Sequence, residues 1–290
     1  MHVGIIGLGK MGGNMAERLR RHGHTVVGFD SHSPKTDVTS LADLVAALPA
    51  PRVAWVMVPS GDPTEAVVNQ LIAALAPGDT IVEGGNSFYG DSQRRAATAA
   101  ERGIAFVDCG TSGGIWGLSE GYCLMAGGSP EAIAHCRPIF DGLACEGGFA
   151  HVGPAGAGHF TKMVHNGIEY GMMQAYAEGW ELLKASEMKI DVNAALELWR
   201  HGSVVRSWLL DLAVNATRDN PELEGIRGYA ADSGEGRWTV QEAVRLGVPA
   251  HVLSAALYAR FVSRQDDAPA MKMIAALRNQ FGGHAVAKKE

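Results

Sequence analysis

VGIIGLGKMGGNMA, residues 3–16, places Gly7, Gly9 and Gly12 in the spacing GxGxxG between an apolar run and a helix-like stretch. HVGIIGL reads as a buried strand, residues 11–22 as a helix and TVVGFD as a second strand, so the glycines occupy a strand-to-helix turn. In that setting the first permits the turn, the second lets backbone approach a pyrophosphate and the third allows close helix packing, while the helix N-terminus favours the anion. Asp30 ends the second strand about 20 residues on, where a carboxylate binds a ribose 2′-hydroxyl. A carboxylate there repels a 2′-phosphate, and no arginine stands among Ser31, His32 and Ser33. NAD is therefore the expected cofactor, with NADP kept open by Lys35.

Working outward, RVAWVMVP, DTIVEGGN and IAFVDCG add β-rich runs, each followed by a turn and a helical stretch such as residues 63–75 or 92–102. This alternation predicts an α/β Rossmann domain with a mainly parallel, doubly wound sheet. After about Gly153, Ala, Met, Leu and Glu replace the β-branched runs, which predicts an all-α C-terminal domain. The border lies at VGPAGAGH, residues 152–159, dividing the chain into a cofactor domain, 1–155, and a helical substrate-binding and oligomerisation domain, 156–290. A helix beginning beyond the border and running to about Ala185 would be roughly 40 Å long. AVAKKE reads as a frayed end.

With 290 residues, 47% hydrophobic and 19% charged, the chain is long enough for two packed cores. A net charge of −6 without a basic tract argues against nucleic acid and anionic membranes as partners. No apolar run approaches the roughly 20 residues of a membrane span, and no leader pattern precedes the first strand, so a soluble protein is expected. Cys109, Cys123, Cys136 and Cys145 form no CxxC pair and no zinc spacing with histidine, so reduced cytoplasmic thiols and no metal are expected.

In KMVHNGIEYG, residues 162–171, Lys162, His165, Asn166 and Glu169 fall at i, i+3, i+4 and i+7 and share one helix face. Such a face is usually solvated. Here the same face continues into Met172, Met173 and Tyr176, which predicts an enclosed polar patch, where a lysine among a histidine, an asparagine and a glutamate can have its proton affinity tuned. GGNS, residues 84–87, and TSGG, residues 111–114, lie at predicted strand ends and aim Asn86 and Ser112 toward the nucleotide edge. Taken singly, each is equally an ordinary turn.

GAGHFTKMVHNGIEYG resembles the signature of the decarboxylating 6-phosphogluconate dehydrogenases, within the β-hydroxyacid dehydrogenase superfamily, and the similarity runs across essentially the whole chain, in a short form. GLGKMGGN is similar to the cofactor loop, GNS and TSGG to the nicotinamide and substrate loops, SGEGRWT to a later substrate loop, and RNQFGGH to the C-terminal R-x-x-F-G-x-H. The resemblance implies Lys162 as base and Glu169 as acid in an oxidative decarboxylation. It implies Asn86, Ser112, Gly113, Gly114, His165 and Asn166 around the sugar acid, and Tyr170, Arg260 and, from a neighbouring subunit, Arg278 and His284 at its phosphate. Gly7, Leu8, Gly9, Met11, Gly12, Asp30, Val58, Pro59 and Asn86 would line the cofactor. A homodimer or homotetramer follows from the shared site.

Three positions depart from the family pattern. Ser233 stands where the longer enzymes have a phosphate-binding lysine, Glu235 adds an acid to the same loop, with Arg237 nearby, and Ile115 replaces an acidic residue after SGG. A sugar acid without the phosphate stays open on these grounds. So do a 3-hydroxyisobutyrate-type dehydrogenase and, from another class, a non-catalytic nucleotide sensor on the same fold.

Overall fold

The computed structural model describes residues 1–287, apart from the side chain of Phe281; the final three residues of the AVAKKE tail lie outside it. The chain divides into two compact units, Met1–His165 and Asn166–Glu290.

The first unit holds seven strands, β1 (His2–Ile6), β2 (Thr25–Phe29), β3 (Val53–Val56), β4 (Thr80–Glu83), β5 (Ala105–Ser112), β6 (Tyr122–Gly127) and β7 (Ala144–Gly153), in the order β2-β1-β3-β4-β5-β6-β7. Pairing is parallel except between β5 and β6. Its helices are α1 (Lys10–Arg21), α2 (Leu41–Ala47), α3 (Asp62–Ala74), α4 (Tyr89–Ala100), the single turn α5 (Gly117–Glu120) and α6 (Pro130–Leu143). Helices cover both faces, so the central strands are apolar without interruption and alternate residues serve opposite cores. Val53 and Trp55 pack with Met15 and Leu19 of α1 and Phe140 of α6, while Ala54 and Val56 pack with Leu44 of α2 and Leu71 of α3.

Strand order reverses around β1, where β2 and β3 lie on opposite sides. A crevice for ligands forms at such a point, outside the carboxyl ends of the strands. The glycine loop follows β1, residues 84–87 follow β4, and Ser112 ends β5, so all three share that edge. The mainly parallel sheet agrees with the sequence, whereas β6 and β7 were not among its expected runs. In β7 the reason is visible: glycines and outward-facing residues leave it almost no buried side.

Helix α7 (Ala157–Lys184) begins in the first unit and continues into the second. The second unit then adds α8 (Val192–Trp199), α9 (Trp208–Arg218), α10 (Glu235–Leu246), α11 (His251–Val262) and α12 (Pro269–Gly282). Asp191 and Ser207 cap α8 and α9 by accepting the Ala194 and Leu210 amides, satisfying donors that helix starts leave open. Two small cores result. One joins Leu196 and Leu210 to Tyr176 and Trp180 of α7; the other joins Tyr170 and Met173 to Val240, Leu257 and Phe261.

Candidate active site

At the glycine loop, Gly7 has φ +94°, a left-handed conformation that L side chains rarely adopt. A Cβ at Gly12 would stand 2.0 Å from the Gly7 carbonyl oxygen, so α1 closes on the loop only with glycine there. Gly9 is different: nothing lies within 4 Å of a Cβ built on it. Backbone is thus open at the N-cap of α1, whose first turn contains no acidic side chain. Open backbone at a helix N-terminus suits a pyrophosphate.

Asp30 accepts the Leu8 amide on one carboxylate oxygen at 2.7 Å and the His32 amide on the other at 2.8 Å. Partial burial pushes this carboxyl up, but the His32 and Leu8 amides and the charge of His32 outweigh it and hold the group below the usual range. The result is an ionised acceptor tied to the glycine loop itself. Lys35 is exposed. Leu8 and Met11 pack on the α1 face of the core and Val58 on the other, and the Pro59 carbonyl accepts the Thr64 hydroxyl at 2.8 Å. These contacts hold the loops that follow β1 and β3 in place.

Lys162 is 7% exposed. Its stem lies so close to β5 that a Cβ on Gly110 would come within 2.4 Å of the Lys162 Cβ and 2.8 Å of the Gly158 carbonyl. The Lys162 Nζ is 3.5 Å from His165 Nδ1. Asn86 is exposed after β4, while Ser112 is half-buried. Gly113, at φ +130°, and Gly114 make the turn that follows. Along α7, Lys162 and Asn166 are buried, His165 and Glu169 half-buried, and Met172 is 37% exposed, so the face is enclosed at its polar end rather than throughout. Seven residues separate Lys162 from Glu169, about two turns, or roughly 10 Å of rise.

The start of α7 rests on a residue that periodicity does not single out. Asp108 of β5, fully buried, accepts the Gly156 amide at 2.6 Å and the His159 amide at 2.7 Å. It caps the helix from across the sheet. Burial pushes its carboxyl up, opposed by His159 and these amides. The only sequence signal for Asp108 is an acid inside the apolar run IAFVDCG. Among the described residues, no group of three or more His, Cys, Asp or Glu is set to hold a metal ion, and all four cysteines are free thiols.

Within the second unit, Tyr170 is buried, its hydroxyl accepts the Ser233 amide at 3.2 Å, and Arg260 stacks 3.5 Å above its ring. Arg260 also donates to the Ala231 carbonyl, so it is part of a built cluster and not the exposed helix arginine that its residue type suggests. The Ser233 hydroxyl donates to buried Glu235 at 2.5 Å. Arg237 is held at 2.6 Å by Asp232, which also pairs with Arg264 at 3.1 Å. The Arg237 hydrogen bond draws the Asp232 carboxyl down, and the same contact raises the guanidinium. Arg278 and His284 are exposed, at the end of α12 and after it. Ile115 is exposed.

The sequence matches the family model for the NAD binding domain of 6-phosphogluconate dehydrogenase over residues 2–153 and that for the enzyme's C-terminal domain over residues 158–290. The chain belongs to the 6-phosphogluconate dehydrogenase family. Among its relatives, the Bacillus subtilis protein YqeC is 43% identical over the full length of both chains. A Haloferax volcanii protein named NAD(+)-dependent, decarboxylating 6-phosphogluconate dehydrogenase is 40% identical, again over the full length of both. A solved Plasmodium falciparum 6-phosphogluconate dehydrogenase superposes with a TM-score of 0.81 at 25% identity, covering all of this chain and 67% of that one. The Rossmann unit followed by a helical unit is thus the family fold in a shorter chain. No helix among the described residues is long and apolar enough to cross a membrane.

Proposed function

We propose that the protein oxidises and decarboxylates 6-phosphogluconate to ribulose 5-phosphate and carbon dioxide, with NAD preferred to NADP. Residues 1–155 serve as the cofactor domain and 156–290 as the substrate-binding and oligomerisation domain. One observation carries the reading: a buried lysine seated against Gly110 of β5, beside His165, on the helix that also bears Glu169.

In this reading NAD, when bound, supplies the hydride acceptor. Gly7, Gly9 and Gly12 and the start of α1 hold its pyrophosphate, Asp30 its ribose, and Leu8, Met11, Val58, Pro59 and Asn86 flank it. Lys162 acts as the neutral amine that takes the proton of the substrate 3-hydroxyl as hydride leaves C3. Its ammonium then polarises the new C3 ketone, so the electron pair released with carbon dioxide is received as an enediol. Glu169 delivers the proton that C1 of the enediol, the carbon from which carbon dioxide departed, takes up as the enediol becomes the ketone product. One base and one acid in opposite protonation states suffice.

Asn86, Ser112, Gly113, Gly114, His165 and Asn166 orient the sugar acid. Tyr170 and Arg260 receive its phosphate, joined by Arg278 and His284 of a second copy in a homodimer or homotetramer. The exposed apolar side chains of α12, Met271, Ile274 and Leu277, support such an association. The cytoplasm, which keeps thiols reduced, is the expected compartment.

The deciding assay offers 6-phosphogluconate, gluconate and 3-hydroxyisobutyrate, each with NAD and with NADP, and follows reduced cofactor and carbon dioxide. Equal amounts of both products from 6-phosphogluconate and NAD are expected. Reduction without carbon dioxide would remove the decarboxylation, turnover of gluconate alone would remove the phosphate, and no turnover would leave a nucleotide sensor.

A further inference from the structure

A buried polar side chain has to be matched by partners, and a buried ion pair is seldom more stable than an apolar replacement, so a chain of them calls for a reason other than stability. Such a chain lies in the first unit, below residues 84–87. Glu83, Ser92, Arg95, Asp108 and His159 are each no more than 2% exposed. They come from β4, α4, β5 and α7, four elements that the chain brings together from well-separated positions.

Glu83 is the last residue of β4. One of its carboxylate oxygens receives the Arg95 guanidinium at 2.5 Å and the Ser87 hydroxyl at 2.6 Å. Arg95 is itself held by Glu65 at 2.8 Å. The other oxygen of Glu83 stands 3.8 Å from His159 Nδ1, and that nitrogen is hydrogen-bonded to Ser92 Oγ at 2.8 Å. His159 lies on α7 three residues before Lys162, nearly one turn away on the same side. Its backbone amide is the one accepted by Asp108. The His159 ring therefore ties the first turn of α7 to α4 and faces the strand end that carries the Asn86 loop, while Asp108 holds the same turn to β5.

We propose that His159 is a positioning residue for Lys162, setting the height and rotation of α7 so that the amine is presented at the edge where Asn86 and Ser112 emerge. This rests on the reading of Lys162 as the base. The reacting atoms need not touch His159. A displacement of about 1 Å in a catalytic group costs on the order of 100-fold in rate, so a rigid anchor one turn away has a large lever.

The test compares the intact wild-type protein with His159→Leu, His159→Asn and Ser92→Ala. Asn keeps a hydrogen-bonding atom near the Nδ1 position; Leu does not. In folded His159→Leu, kcat for 6-phosphogluconate oxidation is expected to fall about 10- to 100-fold while KM for substrate and for NAD changes less than about threefold. His159→Asn is expected to recover most of the loss. Independently of activity, reductive methylation of Lys162, quantified by peptide mass spectrometry against exposed lysines, is expected to change rate in His159→Leu and to stay near wild type in His159→Asn. Unchanged kcat and unchanged Lys162 labelling in His159→Leu, or a loss that Asn does not relieve, overturn the proposal. Should His159→Leu fail to fold, Ser92→Ala decides by the same two readouts. Should the wild type turn over no substrate, the proposed function fails, and the labelling rates alone decide the positioning role.

Discussion

The two units solve the burial problem differently. In the first, helices cover both faces of the sheet, and the core residues of β1, β3, β4 and β5 are almost wholly enclosed. In the second, two small clusters hold the helices, while Leu182, Val204, Val244, Val252, Ile274 and Leu277 remain exposed in the single copy. A layered sheet can satisfy its own apolar surface, whereas a short run of helices with apolar residues on several faces needs something further to cover them. The first unit encloses its own apolar surface, and the second leaves much of its own exposed in the single copy.

The sharpest way to test this contrast is catalytic. Lys162→Met, in the first unit, should lower turnover by about 10³-fold or more while the NAD dissociation constant, measured by titration calorimetry, stays within about twofold. Glu169→Ala, in the second, should cost about 100-fold and act on the proton-delivery steps, seen as a smaller isotope effect on hydride transfer with 3-deuterated substrate. A near-normal Lys162→Met enzyme would break the division of labour.

Next in size is the exposed apolar face. Ile274→Glu with Leu277→Glu should lower the mass measured by light scattering to that of one chain and reduce activity about 10-fold or more, because Arg278 and His284 would no longer reach a second copy's site. An unchanged mass would mean that α12 does not form the interface.

Packing in the two units should also respond unequally. Gly110→Ala would drive a Cβ into Lys162 and the Gly158 carbonyl, and a loss of about 1–3 kcal/mol is expected in urea unfolding. Val204→Ala, at a residue 98% exposed, should stay within about 0.5 kcal/mol of wild type unless the assembly covers it.

Acid acts on a salt-bridge cluster of the first unit. Hydrogen bonds from Arg94, then Arg95, outweigh burial and draw the Glu65 carboxyl down from 4.5 to about 2. A carboxyl lowered in the folded state contributes stability that is present above its unfolded value and lost as pH falls through the folded one. Urea midpoints should therefore decline between pH 4.5 and about 2, with a shallower decline in Glu65→Gln.

Much of the fold was legible because the rules involved are short-ranged. An apolar run, a glycine turn and a helical period announce β1, α1 and β2, and the Lys162 to Glu169 spacing announces one face of α7. β6 and β7 were harder. They sit at the far side of the sheet, where β5 turns back and β7 buries little. Arg260 shows the same limit within the site: nothing local distinguishes it from a solvent-facing arginine, and its stacking on Tyr170 spans 90 residues of chain.

What the sequence by itself determined is the chemistry on offer: an open glycine loop, an acid after β2, and a lysine and a glutamate two turns apart on one helix. Those depend on residue identity and spacing within a few turns. Tertiary structure alone decided which polar residues are buried together. Glu83, Arg95, His159 and Asp108 look like scattered charges along the chain, because the energy of a buried polar group depends on partners that only folding brings within hydrogen-bonding distance.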